Sequence, residues 1–331
     1  MTSILTIILN YKTAEMTLKS VEAALREMEG LNGDIVVVDN DSQDGSYEVL
    51  CEGTKDMPRV RVVAAGRNGG FGAGNNVGFR LGLSDGTAPK YFYVLNSDAF
   101  PDAGSIKALV DYLETHPKVG FVGSFIHGPE GDPHLTTFRF PSISSELEGA
   151  ARFGPISRLL RNKRVPIDVP EQTCEVDWLA GASMLMRCDV LEDIGLFDET
   201  FFLYFEETDL CRRAKLAGWP TVFVRESEVT HIGSVSTGMK TWSRMPQYWF
   251  DSRLHYFIKN HGWLYSVLAV KAHVIGGLIW RIRRVLQGKA QADPDHFLQD
   301  LIMHDTRHLW SGARPAKVPR LGEFDQLERI K

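Results

Sequence analysis

The stretch Ile35-Val36-Val37-Val38-Asp39-Asn40-Asp41-Ser42-Gln43-Asp44-Gly45-Ser46 decides the fold. A short run of β-branched residues with no polar alternation reads as a strand buried on both faces. It stops abruptly at a cluster of carboxylates and amides. Working outward, apolar runs at 4–9, 60–63, 91–95 and 119–122 repeat the pattern. Leu18, Val21, Leu25 and Met28 recur at helical spacing between the first two strands, and Ile106, Leu109, Val110 and Leu113 do so between the last two. Strand and helix alternating in this way predict βαβ units: an α/β, Rossmann-like, mostly parallel sheet flanked by helices. Ligands of such sheets bind beyond the carboxyl ends of the strands. Asn10-Tyr11, Asp39-Asn40-Asp41 and Asn96-Ser97-Asp98 each follow an apolar strand directly.

The chain of 331 residues is long enough for one large domain or two. Its composition, 44% hydrophobic and 24% charged, is that of an ordinary folded protein, and a net charge of −5 argues against nucleic acid as a partner. Cys51, Cys174, Cys188 and Cys211 are scattered without metal-ligand spacing, and read as reduced structural thiols. The N-terminus lacks a basic region and a small-residue cleavage site, so it reads as a first strand rather than a signal peptide. No run of about 18 uncharged apolar residues occurs, so a spanning helix is not expected and the reading is cytoplasmic.

Residues 127–175 are rich in Pro, Gly, Arg and Ser and read as a long, partly mobile connection that could fold over a ligand. Order returns at 176–186. Phe201-Phe202-Leu203-Tyr204-Phe205-Glu206-Glu207-Thr208-Asp209-Leu210-Cys211-Arg212-Arg213 then opens an amphipathic helix on an aromatic run, and Gly218 and Pro220 end it. A strand at 222–224 precedes His231. Beyond about residue 240 the chain becomes aromatic and helical, and 264–286 are largely apolar but carry Lys271, Arg281, Arg283 and Arg284. Two readings stay open for this extension: a helical appendage on the core, or an amphipathic helix lying in a membrane interface with its basic residues facing anionic lipid. The expected division is 1–238, binding and chemistry, and 239–331, a C-terminal helical region making a peripheral membrane contact or a homo-oligomer contact.

Several constellations could carry chemistry. A strand-end carboxylate such as Asp39 can accept the N3–H of uracil or thymine, although an Asx turn explains the same residues. Gly66-Arg67-Asn68-Gly69-Gly70-Phe71-Gly72-Ala73-Gly74-Asn75-Asn76 enters a helix with exposed backbone N–H groups, suited to a phosphate or a closely approached sugar. Asp98 is a hard oxygen donor for Mg2+ or Mn2+, with Asn96 a weaker contributor and His231 a further ligand. Trp178 and Gly181-Ala182-Ser183 could shape an acceptor pocket or simply pack. Aromatic walls raise the pKa of a neighbouring carboxylate, which suits Glu206 or Glu207 to act as a general base.

Taken in order, Ile8-Leu9-Asn10-Tyr11, Val37-Val38-Asp39-Asn40-Asp41-Ser42, Asn68-Gly69-Gly70-Phe71-Gly72-Ala73-Gly74-Asn75-Asn76, Leu95-Asn96-Ser97-Asp98, Gly195-Leu196-Phe197-Asp198-Glu199 and the aromatic-acidic stretch resemble glycosyltransferase family 2, enzymes of the GT-A fold, and within it the bacterial rhamnosyltransferases. The resemblance spans about residues 3–235. It implies a nucleotide-sugar donor, a divalent metal (Mg2+ or Mn2+) and single-displacement transfer with inversion. It places Asn10, Asp39, Asn40, Asp41, Asn68, Gly69, Gly70, Asn75, Asn96 and Asp98 around the donor, the metal on Asp98 and His231, and the base at Glu206 or Glu207, with Glu207 preferred. Two positions depart from the family pattern: Asn96 opens the DXD-like motif, and Glu207 stands where an Asp is usual. The implied donor is dTDP-rhamnose, otherwise a UDP-sugar, and the implied acceptor a hydroxyl of a saccharide or lipid-linked saccharide in cell-envelope polysaccharide synthesis. The alternatives are a nucleotidyltransferase, for which Arg67 is thin support, and a nucleotide-sugar-binding module without catalysis.

Overall fold

The computed structural model describes residues 2–233, 242–311 and 316–322, so the expected division at 238/239 lies outside the described residues. β1 (Ser3–Asn10), α1 (Ala14–Glu27), β2 (Asn32–Asp39), α2 (Ser46–Thr54), β3 (Val60–Ala64), α3 (Phe71–Phe79) and β4 (Tyr91–Asn96) alternate as the patterning predicts. β5 (Ala99–Pro101), α4 (Ser105–Thr115) and β6 (Phe121–His127) follow. Next come β7 (Thr137–Phe138), α5 (Ile143–Ala151), α6 (Gly154–Leu159), β8 (Cys174–Val176), β9 (Trp178–Leu179), β10 (Ser183–Arg187), α7 (Cys188–Ile194), α8 (Glu206–Leu216) and β11 (Thr221–His231). The C-terminal part is helical: α9 (Gln247–His261), α10 (Trp263–Gln287) and α11 (Phe297–Ser311).

The main sheet has the order β3-β2-β1-β4-β10-β6-β11-β5, with β8 also paired to β11. β1, β2, β3, β4, β6 and β11 share one direction, so most strands are parallel. β10 runs antiparallel between β4 and β6, an insertion that local periodicity does not announce. Alternate residues of each strand feed opposite cores. Leu5, Ile7, Val36, Val38, Phe92 and Val94 face one side, and Ile4, Ile8, Ile35, Val37, Tyr93 and Leu95 the other. Fully burying each such side chain is worth about 1.5–3 kcal/mol, which is why the strand runs carry no polar alternation.

The 127–175 stretch departs from the expectation of a mobile connection. It holds α5, begun by a capping box in which Ser145 N–H donates to Ser142 Oγ and Ser142 N–H to Ser145 Oγ. The buried residues of α5 are Ser145, Glu148 and Ala151, small or polar, so its burial does not follow the apolar spacing of Ile143 and Leu147. Its partner is α10: a Cβ on Gly276 would come within 2.7 Å of the Leu147 carbonyl oxygen, so only glycine permits this approach. Buried Arg253 of α9 donates to Glu146 of α5 and to Asp305 of α11, and His273 of α10 contacts Glu146 at 2.8 Å. The guanidinium thus ties three helices together, and His273 joins the fourth, α10, through Glu146.

α8 stops where expected: Gly218 has φ +89° and Pro220 follows. α10 is long and apolar enough, by length and composition, to cross a membrane. Ser266, Ala269, Ala272, Gly276, Gly277 and Trp280 nevertheless face the protein.

Candidate active site

The carboxyl ends of β1, β2 and β4 bring the strand-end motifs together. Asp39 is buried, and its Oδ1 accepts from Asn10 Nδ2 at 2.7 Å and Ser42 Oγ at 2.6 Å, while Oδ2 accepts the Ser42 N–H at 3.1 Å. Asn10 is wholly buried, and its Oδ1 takes Thr17 Oγ1 at 2.8 Å. Its amide is therefore spent on orienting Asp39 and α1, not on an open surface. Asp41 and Gln43 hold left-handed φ near +58° and +54°, a strained turn of the kind that collects at ligand sites.

Asn40 Nδ2 donates to Asn68 Oδ1 at 3.0 Å, and the same oxygen accepts the Gly70 N–H at 3.0 Å. This links the β2 turn to the glycine loop. Gly70 has φ +89°, and a Cβ there would sit 1.8 Å from the Phe202 carbonyl oxygen. That carbonyl accepts the Phe71 N–H at 3.0 Å, so the glycine loop docks on the aromatic run that leads into α8. Gly69 is buried, and a Cβ on it would crowd Ala73. Asn75 donates to the Phe71 carbonyl at 2.9 Å. Asn40 Oδ1 and Asn75 Oδ1 are both buried without a partner, two acceptors beside the loop.

Asp98, beyond β4, meets His231 at the end of β11: Nε2 lies 3.0 Å from Asp98 Oδ1 and 3.4 Å from Asn96 Nδ2. Asp98 Oδ2 accepts the Gly233 N–H at 3.1 Å. Burial pushes the Asp98 carboxyl up, but the hydrogen bond and charge of His231 and the Gly233 N–H outweigh it and hold the group below its usual range. A carboxylate, an imidazole and an amide converging at one strand end fit a divalent cation such as Mn2+ or Mg2+.

Tyr204 and Phe205 both hold φ +70° immediately before α8, and Glu206, Glu207 and Asp209 occupy its first turn. The two glutamates are not equivalent. Glu206 is fully buried and its Oε2 has no partner. Burial, followed by the charge of Glu207, lifts its carboxyl well above the ordinary value. Glu207 is half-buried, and its Oε1 accepts the Gly181 N–H at 3.2 Å. Burial raises its pKa too, while the Gly181 N–H opposes the rise. Gly181 also lies against Phe71 of the glycine loop, and the next residue, Ala182, accepts the Asn96 N–H at 3.0 Å. Glu207 is thus joined through the Gly181-Ala182 backbone to the Asn96 N–H at the end of β4.

The rest of the acidic helix is structural. Asp209 pairs with Arg213 at 2.8 Å, as its i,i+4 spacing predicts, and also with Lys259 at 2.8 Å and Asn260 at 3.1 Å. Lys259 and His255 also contact Asp198, at 2.9 and 3.0 Å. Asn76 grips the Phe197 backbone in both directions and contacts Glu199 at 3.1 Å. The sequence gives no warning of Lys259 or His255, because each partner lies on a distant segment, and it marks Asn76 within the glycine-loop motif without showing what it holds. Trp178 stacks on Phe138 at 4.1 Å and donates to the Arg139 carbonyl, which makes it a packing residue.

A family profile described as "Glycosyltransferase like family 2" matches residues 2–253. The chain belongs to glycosyltransferase family 2. Among curated relatives, this family 2 chain is 29% identical over 264 residues to the Mycobacterium tuberculosis N-acetylglucosaminyl-diphospho-decaprenol L-rhamnosyltransferase, covering 73% of this chain and 82% of that one. It is 23% identical to the Shigella flexneri dTDP-rhamnosyl transferase RfbF, covering 66% of this chain and 67% of that one. Among solved structures, the Pyrobaculum calidifontis mannosyltransferase PcManGT, in complex with GDP-Man and Mn2+, superposes with a TM-score of 0.53 at 12% identity, over 93% of this chain and 80% of that one. The GT-A fold and the resemblance to rhamnosyltransferases expected from the motifs are therefore both found.

Proposed function

We propose that this family 2 glycosyltransferase moves a sugar, rhamnose from dTDP-rhamnose or otherwise the sugar of a UDP-sugar, to a hydroxyl of a saccharide or lipid-linked saccharide, with inversion at the anomeric carbon. The observation that supports the mechanism is the backbone tie from Glu207 through Gly181 and Ala182 to Asn96, the strand-end residue that His231 also approaches, together with the raised pKa of Glu207. The names of the rhamnosyltransferase relatives favour the donor and the lipid-linked acceptor.

In this reading Asp39, oriented by Asn10, accepts the N3–H of the pyrimidine. Asn40, Asn68, Gly69, Gly70 and Asn75 line the donor's approach along the glycine loop, and Asp41 sits at its outer edge. Asp98 and His231, with Asn96 beside them, would hold Mg2+ or Mn2+, which when bound offsets charge on the diphosphate. Glu207 takes the proton of the acceptor hydroxyl. That oxygen bonds to the anomeric carbon on the face opposite the diphosphate, whose oxygen leaves with the electron pair of the broken bond. Glu206 stays protonated under the helix start. Residues 1–238 carry this chemistry, and 239–331 brace α8 through Lys259 and Asn260.

The test is product analysis with dTDP-rhamnose and UDP-sugars, in Mn2+ or Mg2+, against a short-chain lipid-diphospho-N-acetylglucosamine acceptor. Released nucleoside diphosphate with a new α- or β-linkage opposite to the donor's supports the reading. Released pyrophosphate would indicate nucleotidyl transfer, and donor binding without turnover on any acceptor a binding module.

A further inference from the structure

We propose that the outward face of α10, with the basic α6 segment beside its C-terminal end, docks the protein on an anionic bilayer surface. Leu264, Leu268, Ile275, Leu278, Ile282 and Leu286 recur at intervals of three, four and seven residues and all lie exposed, Leu286 by 80%. They form one stripe of a 25-residue helix, opposite the small residues packed on the protein. Only Lys271 interrupts the stripe, and a lysine can snorkel from such a position. A stripe of this size on a helix is too large to be scattered surface leucine.

Charge names the occupant. Residues 262–292 carry Lys271, Arg281, Arg283, Arg284 and Lys289 and no Asp or Glu. Residues 149–167 carry five cations: Arg152 pairs with Asp293 at 2.6 Å and Arg164 approaches Glu148 at 3.9 Å, while Arg158, Arg161 and Lys163 are exposed beside Leu159, itself 82% exposed. The fold brings these two segments together: Arg283 donates to the Arg152 carbonyl at 2.7 Å and lies over the Phe153 ring at 4.4 Å. The chain as a whole has a net charge of −5, so this basic concentration is local. Pairing two copies through the face would oppose like charges, whereas anionic headgroups complement it. Spanning is ruled out by the packing, since α10 lies against α5 through Gly276 and against Leu298 of α11 through Gly277. An apolar stripe beside basic residues is the arrangement of a helix lying in the interface plane. The inference stands independently of the proposed activity.

Sedimentation of the full-length protein with vesicles tests it. Protein should pellet with phosphatidylcholine–phosphatidylglycerol vesicles, not with phosphatidylcholine alone, and high salt should release it. Arg158→Gln with Arg161→Gln, both exposed, should lower partitioning by roughly thirtyfold, and Ile275→Glu with Ile282→Glu should abolish it. Neither pair should change the melting temperature or the shift produced by donor nucleotide. Wild-type protein that stays in the supernatant with phosphatidylglycerol overturns the proposal. So does a dimer seen by light scattering that Ile282→Glu dissociates.

Discussion

Gly70 presses against the Phe202 carbonyl so closely that residue 70 cannot carry a Cβ, which would lie 1.8 Å from that oxygen. The contact joins the glycine loop to the aromatic run ahead of α8, so the two halves of the site share one backbone junction. Gly70→Ala must also adopt φ +89°, a left-handed conformation costly for alanine. The variant should lose about 1–3 kcal/mol of stability and its thermal shift with nucleotide sugar. Gly66→Ala also has a positive φ but open space around the Cβ, and should be milder on both counts. Melting curves with and without donor decide this.

The two glutamates should separate cleanly. Glu207→Gln should lower turnover by about 10²–10⁴-fold while donor binding persists. Glu206→Gln should retain most activity. Because burial raises the Glu207 pKa above the ordinary 4.5, wild-type activity should fall on acidification at a pH above that value. Equal loss in both variants would refute the assignment.

Glu206 adds a stability signature. Its raised pKa means that the folded state keeps a proton the unfolded chain releases above about pH 4.5. The contribution is full below that pH and is lost as pH rises towards the folded pKa. Glu206→Gln removes this titration, so its melting temperature relative to wild type should improve steadily from pH 5 to pH 8 (about the range where globular proteins are most stable). A constant difference across that range would count against a buried neutral carboxyl.

Asp98→Asn and His231→Ala should each abolish the manganese-dependent part of the donor's thermal shift, leaving a smaller metal-independent part held by Asp39. Saturating ligand at a hundredfold excess over its Kd stabilises by about 2.7 kcal/mol, a shift large enough to resolve. Chelation of wild-type protein should reproduce the Asp98→Asn curve. A donor shift indifferent to chelator would remove the metal from the mechanism.

The buried hub around Arg253 should dominate acid stability of the C-terminal helices. Burial alone would raise Glu146, but the Arg253 charge and the His273 hydrogen bond bring it down from 4.5 to about 2. A depressed carboxylate contributes its stability above the unfolded value and loses it as pH falls towards the folded one, here about 3 kcal/mol between pH 4.5 and 2. Arg253→Met takes the guanidinium from Glu146 and Asp305, leaving them only His273 and His304 as charged partners among the described residues, and should cost about 3–5 kcal/mol at neutral pH. Urea melts at pH 7 and pH 3 measure both effects.

The sequence by itself determined the strand–helix alternation, the polar strand ends and the order of the family motifs, because periodicity and turn chemistry are local and a strand buried on both faces has no polar residue to spare. It placed the expected base on the first turn of α8 and preferred Glu207, but it held no information on how differently the two adjacent carboxylates are buried. Tertiary structure makes the two unlike, burying Glu206 with its Oε2 unpartnered while handing Glu207 the Gly181 N–H. The antiparallel β10, the α5–α10 contact through Gly276, and the grip of Lys259 on Asp198 and Asp209 were likewise decided by segments far apart along the chain. Burial and long-range pairing belong to the assembled fold, and no local window of residues encodes them.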